Sequence, residues 1–346
     1  MNKYDIFTFD IACINDTNDI MEFIKSSWDA NHILANNKDF FIYHYKNLFD
    51  STKLNVFLMR DKNGKIKGMS GFVPQGKDNL GIYFSGSVTK VSNDIALPMS
   101  GLELLKRFYK YLDKYVELAC GANEKTIVPL FKNVFHYKTG VMDLYFLPNL
   151  DINEYKIIKF DKTKLQDKSQ DIKQYTLHRI YNLDSIHFDF NKRYDKLPFK
   201  DKRFLEHRYF QHPIFDYLVY AIKDDDKILG IVFFRLLKAL DSNILFLIDY
   251  VGDINALSHI KDSITNILKE LNAECVHFLV GNLDKEIPLK AGFNKVDIES
   301  SNVIIPTYFE PFLQKNIRNI YVTSKSDMII FKAYGDQDNP KYIKDK

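Results

Sequence analysis

An internal repeat restricts the fold of this chain more than any other feature. Lys38-Asp39-Phe40, closing at Tyr45, returns as Lys202-Arg203-Phe204, closing at Tyr209, with seven positions from Lys to Tyr each time. Each stretch leads into a pair of apolar runs read as a β-hairpin. In the first copy these are residues 55–60 and 65–72 around Asp61-Lys62-Asn63-Gly64, where Asn-Gly supplies the positive φ of a tight turn. In the second they are 218–222 and 228–234 around Asp224-Asp225-Asp226. A β-rich run follows, 82–88 or 244–251, and then an amphipathic helix. Leu102, Leu105, Phe108, Tyr109 and Leu112 share one face of the first helix, and Ile260, Ile264, Ile267, Leu268 and Leu271 one face of the second. Short apolar strands come next, 116–120 and 275–280. Asn123 then stands six positions before Pro129, as Asn282 does before Pro288. So many matches at equal spacing point to one structural unit written twice.

The repeat divides the chain into a first unit at 1–150, a polar Lys/Asp-rich linker at 151–173, a second unit at 174–335 and a tail at 336–346, whose charged residues after Pro340 are expected to be disordered. A length of 346 residues with 46% hydrophobic residues accommodates two cores of ordinary domain size. Net charge is only +3, with lysines interleaved among Asp and Glu, which argues against nucleic acid as a partner. The longest apolar runs are strand-length and the start has no signal-peptide pattern, so a soluble cytoplasmic protein without a membrane segment is expected. Cys13, Cys120 and Cys275 are far apart among apolar neighbours and read as core residues instead of a disulfide framework. The nine histidines show no zinc-ligand spacing, and no metal is expected.

The element order in each copy resembles the GNAT acyltransferase fold, and the resemblance covers almost the whole chain. It implies an α/β (α+β) architecture of two tandem GNAT-like domains, each a mixed, mostly antiparallel sheet flanked by helices. In that family a loop of pattern Arg-x-x-Gly-x-Gly/Ala at a helix N-terminus holds the pyrophosphate of acyl-CoA. Free amides and the helix dipole suit an anion there. The corresponding segment is Ala96-Leu97-Pro98-Met99-Ser100-Gly101, of which only Gly101 keeps the pattern. Residues 123–131 are similar to the family's Asn-x-x-Ala…Leu-Tyr signature, with Asn123 on the pantetheine side and Phe131 in place of the Tyr that protonates the departing thiolate. Asn123 reads equally as a helix N-cap. The resemblance thus implies acetyl-CoA or another acyl-CoA as co-substrate, bound by Ser87, Val88, Met99, Ser100, Gly101 and Asn123. The second copy places Asp249 and Asp253 where the anion would sit, so no CoA is expected there.

Asp29-Ala30-Asn31-His32-Ile33-Leu34 and residues 326–338 resemble tandem-GNAT enzymes of bacterial surface-polysaccharide biosynthesis, which implies a sugar or nucleotide-sugar acceptor. His32 is the expected general base, since an imidazole accepts a proton near neutral pH; a surface or structural histidine is the competing reading. Trp28, Asn31 and Asp336 are the expected acceptor contacts, and His136 and Tyr137 alternates for the acid. The cluster of Arg208, Tyr209 and His212 reads as an anion site or a structural joint. A Fem-like aminoacyl transferase and a non-catalytic carbohydrate-binding protein are the alternative functions, and the oligomeric state is left open.

Overall fold

The computed structural model describes residues 3–165, 172–299, 302–317 and 319–341; the side chains of 335 and 336 also lie outside the description. Residues 166–171 of the expected linker and 342–346 of the expected tail therefore fall outside the described residues, while Asp338 of the tail is buried. The strands, in chain order, are β1 (Thr8–Cys13), β2 (Lys53–Arg60), β3 (Ile66–Asp78), β4 (Gly81–Val91), β5 (Tyr115–Cys120), β6 (Lys138–Val141), β7 (Asp143–Pro148), β8 (Thr176–Ile180), β9 (Leu218–Asp224), β10 (Lys227–Ala239), β11 (Ser242–Gly252), β12 (Ala273–Gly281), β13 (Asn294–Lys295), β14 (Tyr321–Ser324) and β15 (Ile330–Phe331). The helices are α1 (Thr17–Ser27), α2 (Ile33–Asn36), α3 (Lys38–Tyr45), α4 (Ser100–Leu112), α5 (Ile127–Asn133), α6 (Lys202–Phe210), α7 (Lys261–Glu270) and α8 (Glu286–Lys290).

These strands form two mixed sheets flanked by helices, in the orders β1-β2-β3-β4-β5-β14-β6 and β13-β7-β12-β11-β10-β9-β8, with β15 added against β12. Each sheet is antiparallel except for one parallel pair, β4–β5 in the first and β11–β12 in the second. Both expected hairpins form, and Asp61 accepts the amides of Asn63 and Lys65 across the first turn. Strand β1 begins the first sheet ahead of the helices, an element the sequence reading did not contain.

The strand pair that closes each copy does not stay together. β7 lies in the second sheet, paired with β12 from Asp143↔Val280 to Pro148↔Cys275. In exchange β14 lies in the first sheet, between β5 and β6. The exchange satisfies two strand edges that would otherwise be open. The segment after β7 is pinned as well: Glu274, fully buried, accepts the successive amides of Lys156, Ile157 and Ile158 at 2.7–3.0 Å, and Ile157 and Ile158 sit in the core.

Helix α4 buries Leu104, Leu105, Phe108 and Tyr109 against Phe57, Phe72 and Phe84, while Leu102 and Leu112, expected on the same face, are only half-buried. On the other side of this sheet α1, α2 and α3 pack Ile20, Ile24, Leu34 and Phe41 onto Val56, Leu58 and Val88. The two copies meet where α3 and α6 end, in a reciprocal contact. Tyr43 hydroxyl donates to the His207 carbonyl at 3.0 Å, the His207 Nε2 lies 3.0 Å from the Tyr43 carbonyl, and the two rings stack at 4.2 Å.

Candidate functional site

The parallel pair β4–β5 holds only from Ile82↔Tyr115 to Ser85↔Leu118; beyond it the strands part. At the same place the register of β4 against β3 slips, from Phe72↔Gly86 to Ser70↔Thr89, so that Ser87 and Val88 stand opposite the single residue Gly71. That is a β-bulge, a device that re-aims backbone groups beside functional sites. Gly71 is required there: a Cβ would lie 2.5 Å from the Tyr45 hydroxyl. The space lets Tyr45 hydroxyl reach Ser87 Oγ at 3.0 Å, with His44 Nε2 at 3.3 Å from the same oxygen.

Helix α4 starts beside the parted strands. Met99 takes left-handed geometry at its N-cap, with φ 64°, and no side chain among the described residues caps the helix. Ser100 Oγ turns back to the Leu97 carbonyl at 2.8 Å, and a side chain at Gly101 would meet only Val91, at 3.9 Å. The first-turn amides thus face an uncrowded surface, the arrangement that suits an anion. The nearest acid, Glu103, is held by Arg107 at 2.8 Å. Asn123 acts as a cap ahead of α5, accepting from the amides of Lys125 and Thr126 at 3.0 and 3.1 Å. Of the six expected cofactor residues, Ser87 and Val88 therefore lie on the bulge, Met99, Ser100 and Gly101 at the α4 N-terminus, and Asn123 just past β5. The Val88 side chain itself points into the α1–α3 core.

His32 is the N-cap of α2, its Nδ1 accepting from the Leu34 amide at 3.2 Å, and Trp28 packs on its ring at 4.5 Å. Burial lowers its pKa, against the opposing charge of Asp29. Trp28 is 43% exposed, and Asn31 is also exposed, its amide held by Asp29. Asp336 falls in the 3-10 turn Gly335–Asp338, and its side chain lies outside the description.

Two residues missed in the sequence stand closer to the bulge. His44 and His207 line both a narrow cleft with Gln75, Ser85, Gly86, Ser87 and Arg208 and an adjoining cavity of about 610 Å³ between the two copies. The larger cavity is walled by Phe49, Phe72, Phe199 and Phe204, with Asn47, Asn55, Asn191, three lysines and the acids Asp50 and Asp201 supplying polar groups. Burial, then Arg208, then the charges of His32 and His207 push the pKa of His44 down to about 3, so its ring is neutral. The available signal was its place in the repeat, directly before Tyr45 as Arg208 is before Tyr209.

Glu117 is the other omission, a single acid in the apolar strand β5. Its Oε2 accepts from Tyr109 and Tyr137 at 2.6 and 3.0 Å, and its Oε1 would lie 2.8 Å from a Cβ at Gly86, where the strands part. Burial raises its pKa to about 7, against those two hydrogen bonds. Tyr137 is thus tied to this carboxylate, Cys120 is buried against Met142, and His136 adopts positive φ past α5.

The second copy repeats the geometry with other contents. β10 and β11 carry a bulge at Ile248, between Phe233↔Asp249 and Phe234↔Leu247. Here Ala333 donates its amide to the Ile248 carbonyl, and β15 pairs with β12, so the chain itself fills the gap. Asp249 is buried against Lys200 at 2.5 Å and accepts from Tyr209 and Tyr334. Asp253 caps the following 3-10 turn, and the Asp262 amide in the first turn of α7 meets Gln174 Oε1 at 3.3 Å.

No protein-family model matches the chain, and no curated protein matches it by sequence. Solved structures do. A GCN5-related N-acetyltransferase from Anabaena variabilis ATCC 29413 aligns with 92% of this chain and 72% of its own, at TM-score 0.53 and 11% identity. A conserved protein of unknown function from Enterococcus faecalis V583, a "Probable N-Acyltransferase", aligns with 92% and 71%, at TM-score 0.56 and 6% identity. A GCN5-related N-acetyltransferase from Kribbella flavida aligns with 92% and 70%, at TM-score 0.52 and 10% identity. Across nearly its whole described length, then, this chain has the fold of GCN5-related N-acetyltransferase structures.

Proposed function

We propose that the chain is a tandem GNAT-type acyltransferase that takes its acyl group from acetyl-CoA or another acyl-CoA. The observation that carries the reading is the coincidence of parted strands, bulge and uncapped helix N-terminus at Ser85–Val88 and Met99–Gly101. The donor's pyrophosphate sits at the α4 N-terminus and its thioester at the bulge, whose backbone amides polarise the carbonyl. The acceptor enters the cavity between the copies, where aromatic faces beside amide groups suit a sugar, and three lysines against Asp50 and Asp201 leave a small positive excess for a nucleotide-linked one. We assign this to surface-polysaccharide biosynthesis in the bacterial cytoplasm.

In the reaction an amino or hydroxyl group of the sugar attacks the thioester carbonyl; the new C–N or C–O bond forms as C–S breaks, and the thiolate leaves with a proton. His44, neutral and against Ser87, orients the acceptor. His32, the less buried of the two, takes the proton at Nδ1 by giving up its bond from the Leu34 amide, because that bond leaves Nε2 protonated, and passes the proton to the departing thiolate. Calorimetric titration of acetyl-CoA into the parent and Gly101→Glu, with thiol release read on UDP- and dTDP-amino sugars, tests both parts. Binding by the parent and loss in Gly101→Glu, with His32→Ala about 10²–10⁴-fold slower but binding CoA normally, are expected. Equal acetyl-CoA affinity in Gly101→Glu would remove the donor site, and acylation of amines but of no sugar would remove the acceptor class.

A further inference from the structure

Behind the cleft lies a concentration of buried positive charge that the acyl-transfer reading does not use. Arg208, Arg235 and Lys332 surround a single buried carboxylate, Asp338. Asp338 Oδ2 is committed to Arg208 at 3.0 Å and to the Tyr217 hydroxyl at 2.7 Å. Its Oδ1 lies 3.3 Å from Arg235 Nη1 without hydrogen-bond geometry, so Nε and Nη1 of Arg235 have no hydrogen-bond partner among the described residues. The Arg235 side chain is 10% exposed, its guanidinium stacked on Phe215 at 3.8 Å. Lys332 is 1% exposed, and its nearest described ring is Phe246, at 5.2 Å from Nζ.

Arg235 and Lys332 both line a small cavity of about 30 Å³, and Lys341 stands at its rim. Thr307, Tyr308, Gln337 and Asn339 add hydrogen-bonding groups, and Glu310 is the one acid of the lining. Glu310 Oε2 accepts from the Lys341 amide at 3.3 Å. Thr307 is fixed from behind by the buried ring of His277, Oγ1 to Nε2 at 3.0 Å. Among the described residues three cations line one small space, two of them buried, against Glu310 and the Asp338 carboxylate that Arg235 shares with Arg208, and a buried charge short of partners is costly. Arginine whose Nε and Nη1 lack a hydrogen-bond partner presents donors that fit a tetrahedral oxyanion.

We propose that this cavity, between β10, the 307–310 segment and the chain after β15, binds a phosphate-type oxyanion. The space holds a single small group and not a nucleotide, so the ligand is inorganic phosphate or sulfate, or the terminal phosphate of a monoester reaching in from the Lys341 rim. The site lies in the second copy and does not depend on the acyl-CoA reading.

The test is a titration of the full chain with inorganic phosphate, by calorimetry and by thermal unfolding against chloride at equal ionic strength. A parallel arm uses glucose 1-phosphate as a monoester. Saturable binding in the parent is expected, with the dissociation constant raised on the order of tenfold or more in Lys332→Met and less in Lys341→Gln at the rim. Competition between the monoester and phosphate would place the monoester in the same site. Circular dichroism shows whether Lys332→Met folds; if it does not, Lys341→Gln and Arg235→Lys carry the comparison. No stabilisation of the parent beyond that of chloride, or phosphate affinity unchanged in the folded variants, would overturn the proposal.

Discussion

The gap between β4 and β5 and the gap between β11 and β12 are built alike and finished differently. Each opens at the end of a parallel pair, beside a bulge, under a tyrosine from the preceding helix: Tyr45 in the first, Tyr209 in the second. In the first the tyrosine meets the neutral hydroxyl of Ser87; in the second it meets the carboxylate of Asp249, neutralised by Lys200 and covered by Tyr334. One gap keeps a wall of small polar groups facing a cleft, with Ala333 and Asn339 of the C-terminal segment on its far side. The other has been closed by the chain's own C-terminal segment, with a buried ion pair as its plug. The difference shows how one backbone deformation serves two ends: in the second sheet it is kept and the space it created is filled.

The largest expected effect tests the closed gap. Lys200→Met leaves Asp249 buried with only tyrosine hydroxyls, which should cost about 3–5 kcal/mol in urea unfolding, because a buried charge loses its partner. A loss below about 1 kcal/mol would mean that the ion pair is not what closes this copy.

Next is the pH response of the open gap, carried by Glu117. Its folded-state pKa is raised from 4.5 to about 7, so the folded protein holds an extra proton in that window and this group weakens the fold as pH rises through it. Glu117→Gln keeps an oxygen to accept from Tyr109 and Tyr137 and removes the charge. Above pH 7 the variant should be more stable than the parent by up to roughly 3 kcal/mol, with no difference near pH 4. Parallel stability curves from pH 4 to 8 would show that the carboxyl is not held in this way.

The smallest effect is expected at Ser87. Ser87→Ala removes the partner of Tyr45 and of His44 and should lower stability by only about 1–2 kcal/mol. If chemical denaturation shows a loss as large as that of Lys200→Met, the first gap is as structural as the second and the contrast between them fails.

How much of this was legible beforehand depends on whether the relevant interaction is local. The hairpin at Asn63-Gly64, the apolar faces of α4 and α7 and the α4 N-terminus at Met99–Gly101 all follow from spacing and turn chemistry, because they are made by residues close in the chain. The repeat pointed to two similar units, and each sheet carries a bulge beside its parallel pair. It did not show that β7 and β14 change places, because either strand satisfies the same edge hydrogen bonds, and the choice is made by packing over the whole molecule. The same limit applies to the site. His32 was visible as a titratable residue beside Trp28, whereas His44 became notable only when the bulge brought Ser87 within 3.3 Å and α6 brought Arg208 alongside. Glu117 read as one acid in a strand until Tyr109, eight residues back, and Tyr137, twenty residues on, closed over it. The sequence by itself determined the periodicities, the turns and the twofold plan, which are encoded in neighbouring residues. Which carboxylates and cations are buried, and what faces the cavity between the copies, were decided by tertiary structure, since burial and charge pairing join residues far apart in the chain, such as Arg208 and Asp338, 130 positions apart.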